Sequence, residues 1–174
     1  MKDKAYLRGL LEYNGWANAD LFDKVRALPA DEVTKKREAS LESINVQLHH
    51  MLVIDHIWLA HMEGRDHGYK DRRGEPYGTL EEAWAERQAL DSRLLAYLDG
   101  LDPDALEEVV EYQLIGSSAG SMSRAMCLTH LVMHGSYHRG WTTDMFCQAK
   151  AQQPIADLPV YERVVREQGL NPLP

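Results

Sequence analysis

The chain has 174 residues, 44% of them hydrophobic and 26% charged, with a formal net charge of −8. These values describe one globular domain long enough to bury a core, and the acidic balance argues against nucleic acid as a partner. No apolar run reaches the roughly 18–20 residues of a membrane span, and Arg8, Glu12 and Asn14 interrupt any apolar core near the N-terminus, so the expected location is cytoplasmic, with no membrane partner.

Residues 3–28 read as a first helix, because Leu7, Leu10, Leu11, Tyr13, Ala17, Leu21 and Val25 recur at helical spacing. The stretch 28–32, Leu-Pro-Ala-Asp-Glu, ends it and is suited to start a short turn. Ser40 and Ser43 are candidate caps for a second helix that runs to Glu63 and stops at Gly64. On that helix Val46, His50, Ile54, Ile57 and His61 share one stripe. Leu48, Leu52 and Leu59 form a second apolar face, as on a helix packed between neighbours. His49 and His56 point off the stripe and read as surface or outer-layer residues. Residues 64–78 are polar and glycine-rich, a connection long enough to be functional.

Thr79-Leu-Glu-Glu82 is a capping box that opens a third helix, with Ala83, Leu90, Leu94, Tyr97 and Leu98 inward and Gly100 at its end. Residues 109–115 read as a short strand, followed by a Gly- and Ser-rich breaker. Ser121 or Ser123 then caps a fourth helix over 122–150, and a short last helix follows Pro159. Four long helices without alternating strands predict an all-α helix bundle with a short extra strand and helical pieces. Cys127 and Cys147 lie on one predicted helix, roughly 30 Å apart, and cannot pair.

The fourth helix carries the chemistry. Cys127, Leu131, His134, His138, Trp141 and Met145 follow one another at steps of four or three, the pattern of a core-facing stripe. His134 and His138 stand one turn apart, within about 5–6 Å on a helix, so their imidazoles can converge on one ion. With the inward His50 they make three nitrogen ligands from two helices, a set that leaves a fourth position open and suits zinc, nickel, copper or iron. His130 lies roughly 60° off the centre of the stripe at 100° per residue, which makes it a neighbour of the ligands. A triad of His130, His134 and His138 spans roughly 12 Å of helix, too far for one ion. His61 is too far along its helix to join. No carboxylate sits on either stripe, unlike the H-E-x-x-H helix of metalloproteases, and this favours a thiol substrate, which coordination itself deprotonates, over one that requires a base.

Three stretches carry a resemblance: Leu-Glu-Tyr-Asn-Gly-Trp-Ala-Asn at 11–18, His-Met-Leu-Val-Ile-Asp-His-Ile-Trp at 50–58, and His-Gly-Ser-Tyr-His-Arg-Gly at 134–140. Together they resemble the DinB family of metalloenzymes, which is distinct from the DNA polymerase that shares the name. The resemblance implies a four-helix bundle with a crossed connection, often dimeric, and a divalent nickel or zinc ion on three histidines, which match His50, His134 and His138 here. The family commonly has glutamine after H-R-G, where this chain has Trp141. Characterised relatives include transferases and isomerases that use small thiols. The readings that follow are a metal-dependent transferase acting on a small-molecule thiol, a metal-dependent hydrolase, or a non-catalytic dimeric metal-binding bundle. A homodimer is expected, with Trp16, Trp58, Trp84 and Trp141 available for an interface, and Tyr13, Asn14 and the 64–78 loop are expected near the mouth of the site.

Overall fold

A computed structural model of the chain describes residues 3–73 and 78–169. Its elements are α1 (Lys4–Arg26), α2 (Ala30–Thr34), α3 (Ile44–Met62), α4 (Leu80–Asp99), a 3-10 turn (Pro103–Glu107), β1 (Val109–Gln113), β2 (Ala119–Ser123), α5 (Arg124–Gln148), α6 (Leu158–Val160) and a wide helical turn (Tyr161–Arg166). The expected caps are in place. Ser43 accepts from Val46 N, Ser123 accepts from Met126 N, and Thr79 and Glu82 close their capping box, while Asp3 accepts from Ala5 N and Tyr6 N, so each long helix begins with a side chain on at least one of its free N–H groups.

The order of the four long helices departs from a simple up-and-down bundle. α1 packs on α4 and α5, and α3 also packs on α4 and α5, so α1 stands diagonally across the core from α3, and α4 from α5, while α3 and α4 are neighbours. This is the crossed connection. Directions follow from the pairs. Lys4 Nζ reaches Asp99 O at one end of the α1–α4 contact and Arg26 reaches Glu81 at the other, which makes these two antiparallel. Asp55 meets Arg87 and Met62 O meets Tyr97, which makes α3 and α4 parallel. A parallel pair needs a connection that returns along the whole bundle. For a 19-residue helix that is about 28 Å, and this is the reason for the long segment between α3 and α4.

Two details differ from the sequence expectation. The single strand expected over 109–115 is a hairpin. β1 pairs antiparallel with β2, from Val109 opposite Ser123 to Gln113 opposite Ala119. The Ala-Gly-Ser composition of β2 carries no strand signal, and its pairing with β1 overrides propensity. His49 is not at the surface but 2% exposed, since α3 is covered on nearly every side, and His56 is half-buried with its Nε2 2.9 Å from Glu86 Oε1.

The core also holds charges. Arg87 and Arg139 are each 1% exposed. Arg87 Nη1 donates to Asp55 Oδ2 at 2.6 Å, and its Nη2 stands 2.7 Å from Asp91 Oδ1 as an ion pair outside hydrogen-bond alignment. Asn18 Nδ2 donates to both Asp91 oxygens, at 3.3 and 3.2 Å. Arg139 Nη1 donates to Asn14 Oδ1 and Asn18 Oδ1, both at 2.8 Å. Burial pushes the Asp55 carboxyl up to about 6, with Arg87 pulling it back. One polar layer thus ties α1, α3, α4 and α5 together. Removing one member leaves the others as uncompensated buried charge, which costs about 3–5 kcal/mol. Arg87→Ala is therefore expected to lose about that much unfolding free energy in urea titrations. A loss below about 1 kcal/mol, the range of an exposed ion pair, would show that the layer is not a constraint on the fold.

Candidate metal centre

His50 on α3 faces His134 and His138 on α5, as the antiparallel packing of these helices requires. Ring centroids lie 4.5 Å apart for His50 and His138, 5.1 Å for His50 and His134, and 4.3 Å for His134 and His138. Each ring offers a nitrogen, and the three nitrogens all fall within 4.8 Å of one another. Among the described residues these three form a group that could hold a metal ion.

Two of the rings are oriented from behind. His138 Nδ1 is 2.8 Å from Gln47 Oε1, and His50 Nδ1 is 2.9 Å from the carbonyl oxygen of Arg72. A carbonyl acceptor at Nδ1 sets the tautomer and leaves Nε2 with a lone pair, the form a metal ligand needs. Nδ1 of His134 is buried without a hydrogen-bond partner among the described residues. Burial lowers the proton affinity of all three. His138 falls to about 4 and His134 to about 2, through burial first and then the neighbouring imidazoles, while for His50 burial outweighs the opposing pull of the Arg72 carbonyl. Three neutral imidazoles, two of them locked and one with an unpartnered nitrogen, fit a divalent ion such as nickel or zinc.

The histidines open into a cavity of about 560 Å³. His130 lines it without joining the group, its ring 4.8 Å from Trp58 and 5.7 Å from His134. Ile54, Trp58, Tyr112, Leu114 and Met122 give an apolar wall, and Ser40, Asp71, Arg72 and Arg73 stand at the mouth. The expectation that the 64–78 loop borders the site is met by residues 71–73, while residues 74–77 lie outside the described residues. His61 lies apart, against Trp58, His67 and Tyr112.

Tyr13 and Asn14 do not line this cavity. The Tyr13 hydroxyl donates to Ala156 O at 2.5 Å, and Asn14 accepts from Arg139. They lie on the side of α5 that packs against α1, where the Asn14 oxygen serves the buried Arg139 and the Tyr13 ring centroid stands 5.7 Å from its guanidinium. Trp141 is also not inward. It is 36% exposed beside Tyr137, and Thr142, one residue on and fully buried, takes the core position. Gln47 and the Arg72 carbonyl were missed by sequence reasoning. Gln47 could have been found, since it sits three residues before His50 on the same face of a helix with little other reason for a buried amide. A loop carbonyl leaves no such signal.

Fold and site together define a crossed four-helix bundle with a three-histidine group between two antiparallel helices. The DinB family model matches residues 1–169, and the chain belongs to that family. It is similar to the protein named DinB of Bacillus subtilis (strain 168), with 26% identity over 158 residues, 87% of this chain and 91% of that one. It is similar in fold to a DinB-like protein from Bacillus cereus ATCC 10987, with a TM-score of 0.64, 14% identity, and coverage of 82% of this chain and 90% of that one.

Two outcomes follow. His50→Ala, His134→Ala and His138→Ala are each expected to lose bound divalent metal, His130→Ala to retain it, and Gln47→Leu to weaken affinity by about 10–100-fold. Metal analysis after dialysis checks this, and retention by all three ligand variants would contradict it. In metal-free protein, unfolded histidines near their ordinary value of about 6.5 take up protons that the folded His138 refuses until about 4. The unfolded state then binds more protons across that window. Stability is present above about pH 6.5 and is lost as pH falls towards 4. Urea midpoints measured from pH 4 to 7 should rise with pH, and a flat profile would contradict the assignment.

Proposed function

We propose that the chain is a metal-dependent transferase that activates a small thiol. The observation that carries this reading is the pairing of three neutral imidazoles with a scarcity of carboxylates. Among the described residues lining the cavity Asp71 contributes the one carboxylate, and its Oδ1 accepts from the backbone N–H of Arg73 at 2.9 Å. Hydrolysis of an amide or ester on such an ion would draw on metal-bound water and would still call for a group that carries a proton to the leaving group, the part a carboxylate plays in metalloproteases. A nickel or zinc ion held by His50, His134 and His138 would supply the acidity that converts a thiol to its thiolate near neutral pH, with no base needed.

The chain's own residues do the rest. Gln47 and the Arg72 carbonyl keep two imidazoles in the ligand tautomer. Ile54, Trp58, Tyr112, Leu114 and Met122 exclude water from one wall and offer apolar surface to an electrophilic partner. Metal-loaded protein is expected to turn over small thiols with alkylating or epoxide electrophiles, and to lose that activity with a chelator. A parallel panel of esters and amides should be inert. Thiol-independent hydrolysis that a chelator abolishes would favour the hydrolase reading instead, and no turnover in either panel would favour a metal-binding bundle without catalysis.

The homodimer also belongs to this reading. In its support, α5 exposes Met126, Met133, Tyr137 and Trp141 along one outer face, an apolar stripe that a monomer leaves wet. Trp58 is buried instead, and Trp16 and Trp84 pack partly against the core. Light scattering at micromolar concentration is expected to give twice the chain mass, and a monomer mass would contradict it.

A further inference from the structure

We propose that Arg72 and Arg73 form an anion-recognition site at the mouth of the cavity, so that the molecule it admits is a small carboxylate-bearing compound whose opposite end reaches the three histidines. The inference rests on the small-molecule reading above and narrows it to a chemical class.

The chain carries a net charge of −8, yet among the described residues the charged side chains lining this cavity are two arginines and one aspartate. Asp71 is partly spent within its own turn, on the N–H of Arg73. Arg73 lends one N–H, from Nη2 to Ser40 O at 3.0 Å, which ties the loop to the segment that precedes α3. A guanidinium carries five N–H donors, so four remain without a partner among the described residues. The Arg72 side chain is exposed and makes no hydrogen bond or ion pair among the described residues.

The position of Arg72 is not arbitrary. Its carbonyl holds His50 Nδ1 at 2.9 Å, so the backbone that presents this guanidinium is tied to the histidine group itself. The cavity then joins three chemically distinct parts: imidazoles, an apolar wall, and a cationic loop tied directly to the imidazoles. Arginine's planar fork matches a carboxylate through two parallel hydrogen bonds, and a low-dielectric wall beside it strengthens the pairing. Among the described lining residues a cationic molecule would find Asp71 alone to balance it, next to two like charges.

The test uses full-length protein loaded with cobalt(II), whose visible spectrum reports ligands without turnover. Two probe pairs differ only in the carboxylate: 3-mercaptopropionate against 2-mercaptoethanol, and imidazole-4-acetate against 4-methylimidazole. In each pair the carboxylate member is expected to bind about tenfold more tightly, as for one charge-assisted contact. The double variant Arg72→Gln with Arg73→Gln should abolish that preference while leaving the neutral probes, cobalt content and melting temperature unchanged, because the Arg72 carbonyl is retained. If the thiols give no spectral change but imidazole-4-acetate still outbinds its partner through the arginines, the thiol reading falls and anion recognition stands. Equal affinity within both pairs, a preference that survives the double variant, or no binding of either carboxylate probe overturns the inference.

Discussion

The structure depends on two guanidinium groups held away from water. Arg87 and Arg139 can be buried only because Asp55, Asp91, Asn14 and Asn18 surround them, and these partners come from three different helices. Each partner must stand at one height and one rotation on its helix, so the layer fixes the helices in a way that apolar packing alone does not. Arg139 follows His138 directly. The contacts that turn Arg139 towards α1 also turn His138 towards α3, and the polar layer and the histidine group are two faces of the same stretch of α5. Gly135 belongs to this arrangement. A Cβ there would stand 2.8 Å from Asn14 Oδ1 and 2.9 Å from Arg139 Nη1, so glycine is what lets α1 approach.

The same geometry explains the two most recognisable motifs of the sequence. The asparagines at 14 and 18 and the His-Arg-Gly at 138–140 meet through the Arg139 guanidinium. The first motif therefore acts as a support for the helix that bears the histidines. It contributes nothing to the cavity, whose walls come from α3, α5, the hairpin and the returning loop. Because α3 and α4 run parallel, that loop must travel back along the bundle, and it passes the histidines on the way. A topological necessity thereby delivers the Arg72 carbonyl to His50 and two arginines to the mouth.

Much of this was legible in the sequence, and the exceptions have physical reasons. The long helices could be read because their apolar residues keep a 3.6-residue period and their caps use Ser, Thr and Gly. The histidine group could be read because His134 and His138 share a face one turn apart. The crossed order of helices could not be read from periodicity, which says which face is buried and not against what. It came from the resemblance. The buried charges were passed over because the inward stripe of this helix was read from its apolar residues alone, although Arg87 and Asp91 fall on the same stripe as Ala83, Leu94 and Leu98. Trp141 was placed inward by its spacing from His138 and Met145, yet the buried face of α5 runs through Leu128, Leu131, Gly135, His138 and Thr142, and Trp141 lies at the edge of that face.

The central claim is that His50, His134 and His138 act together on one ion. X-ray absorption on nickel- or zinc-loaded protein tests it most directly. The account predicts three imidazole nitrogens at about 2.0–2.1 Å, with the remaining positions filled by lighter oxygen or nitrogen ligands from solvent. A spectrum with one imidazole, or with a cysteine sulfur at about 2.3 Å, would contradict it.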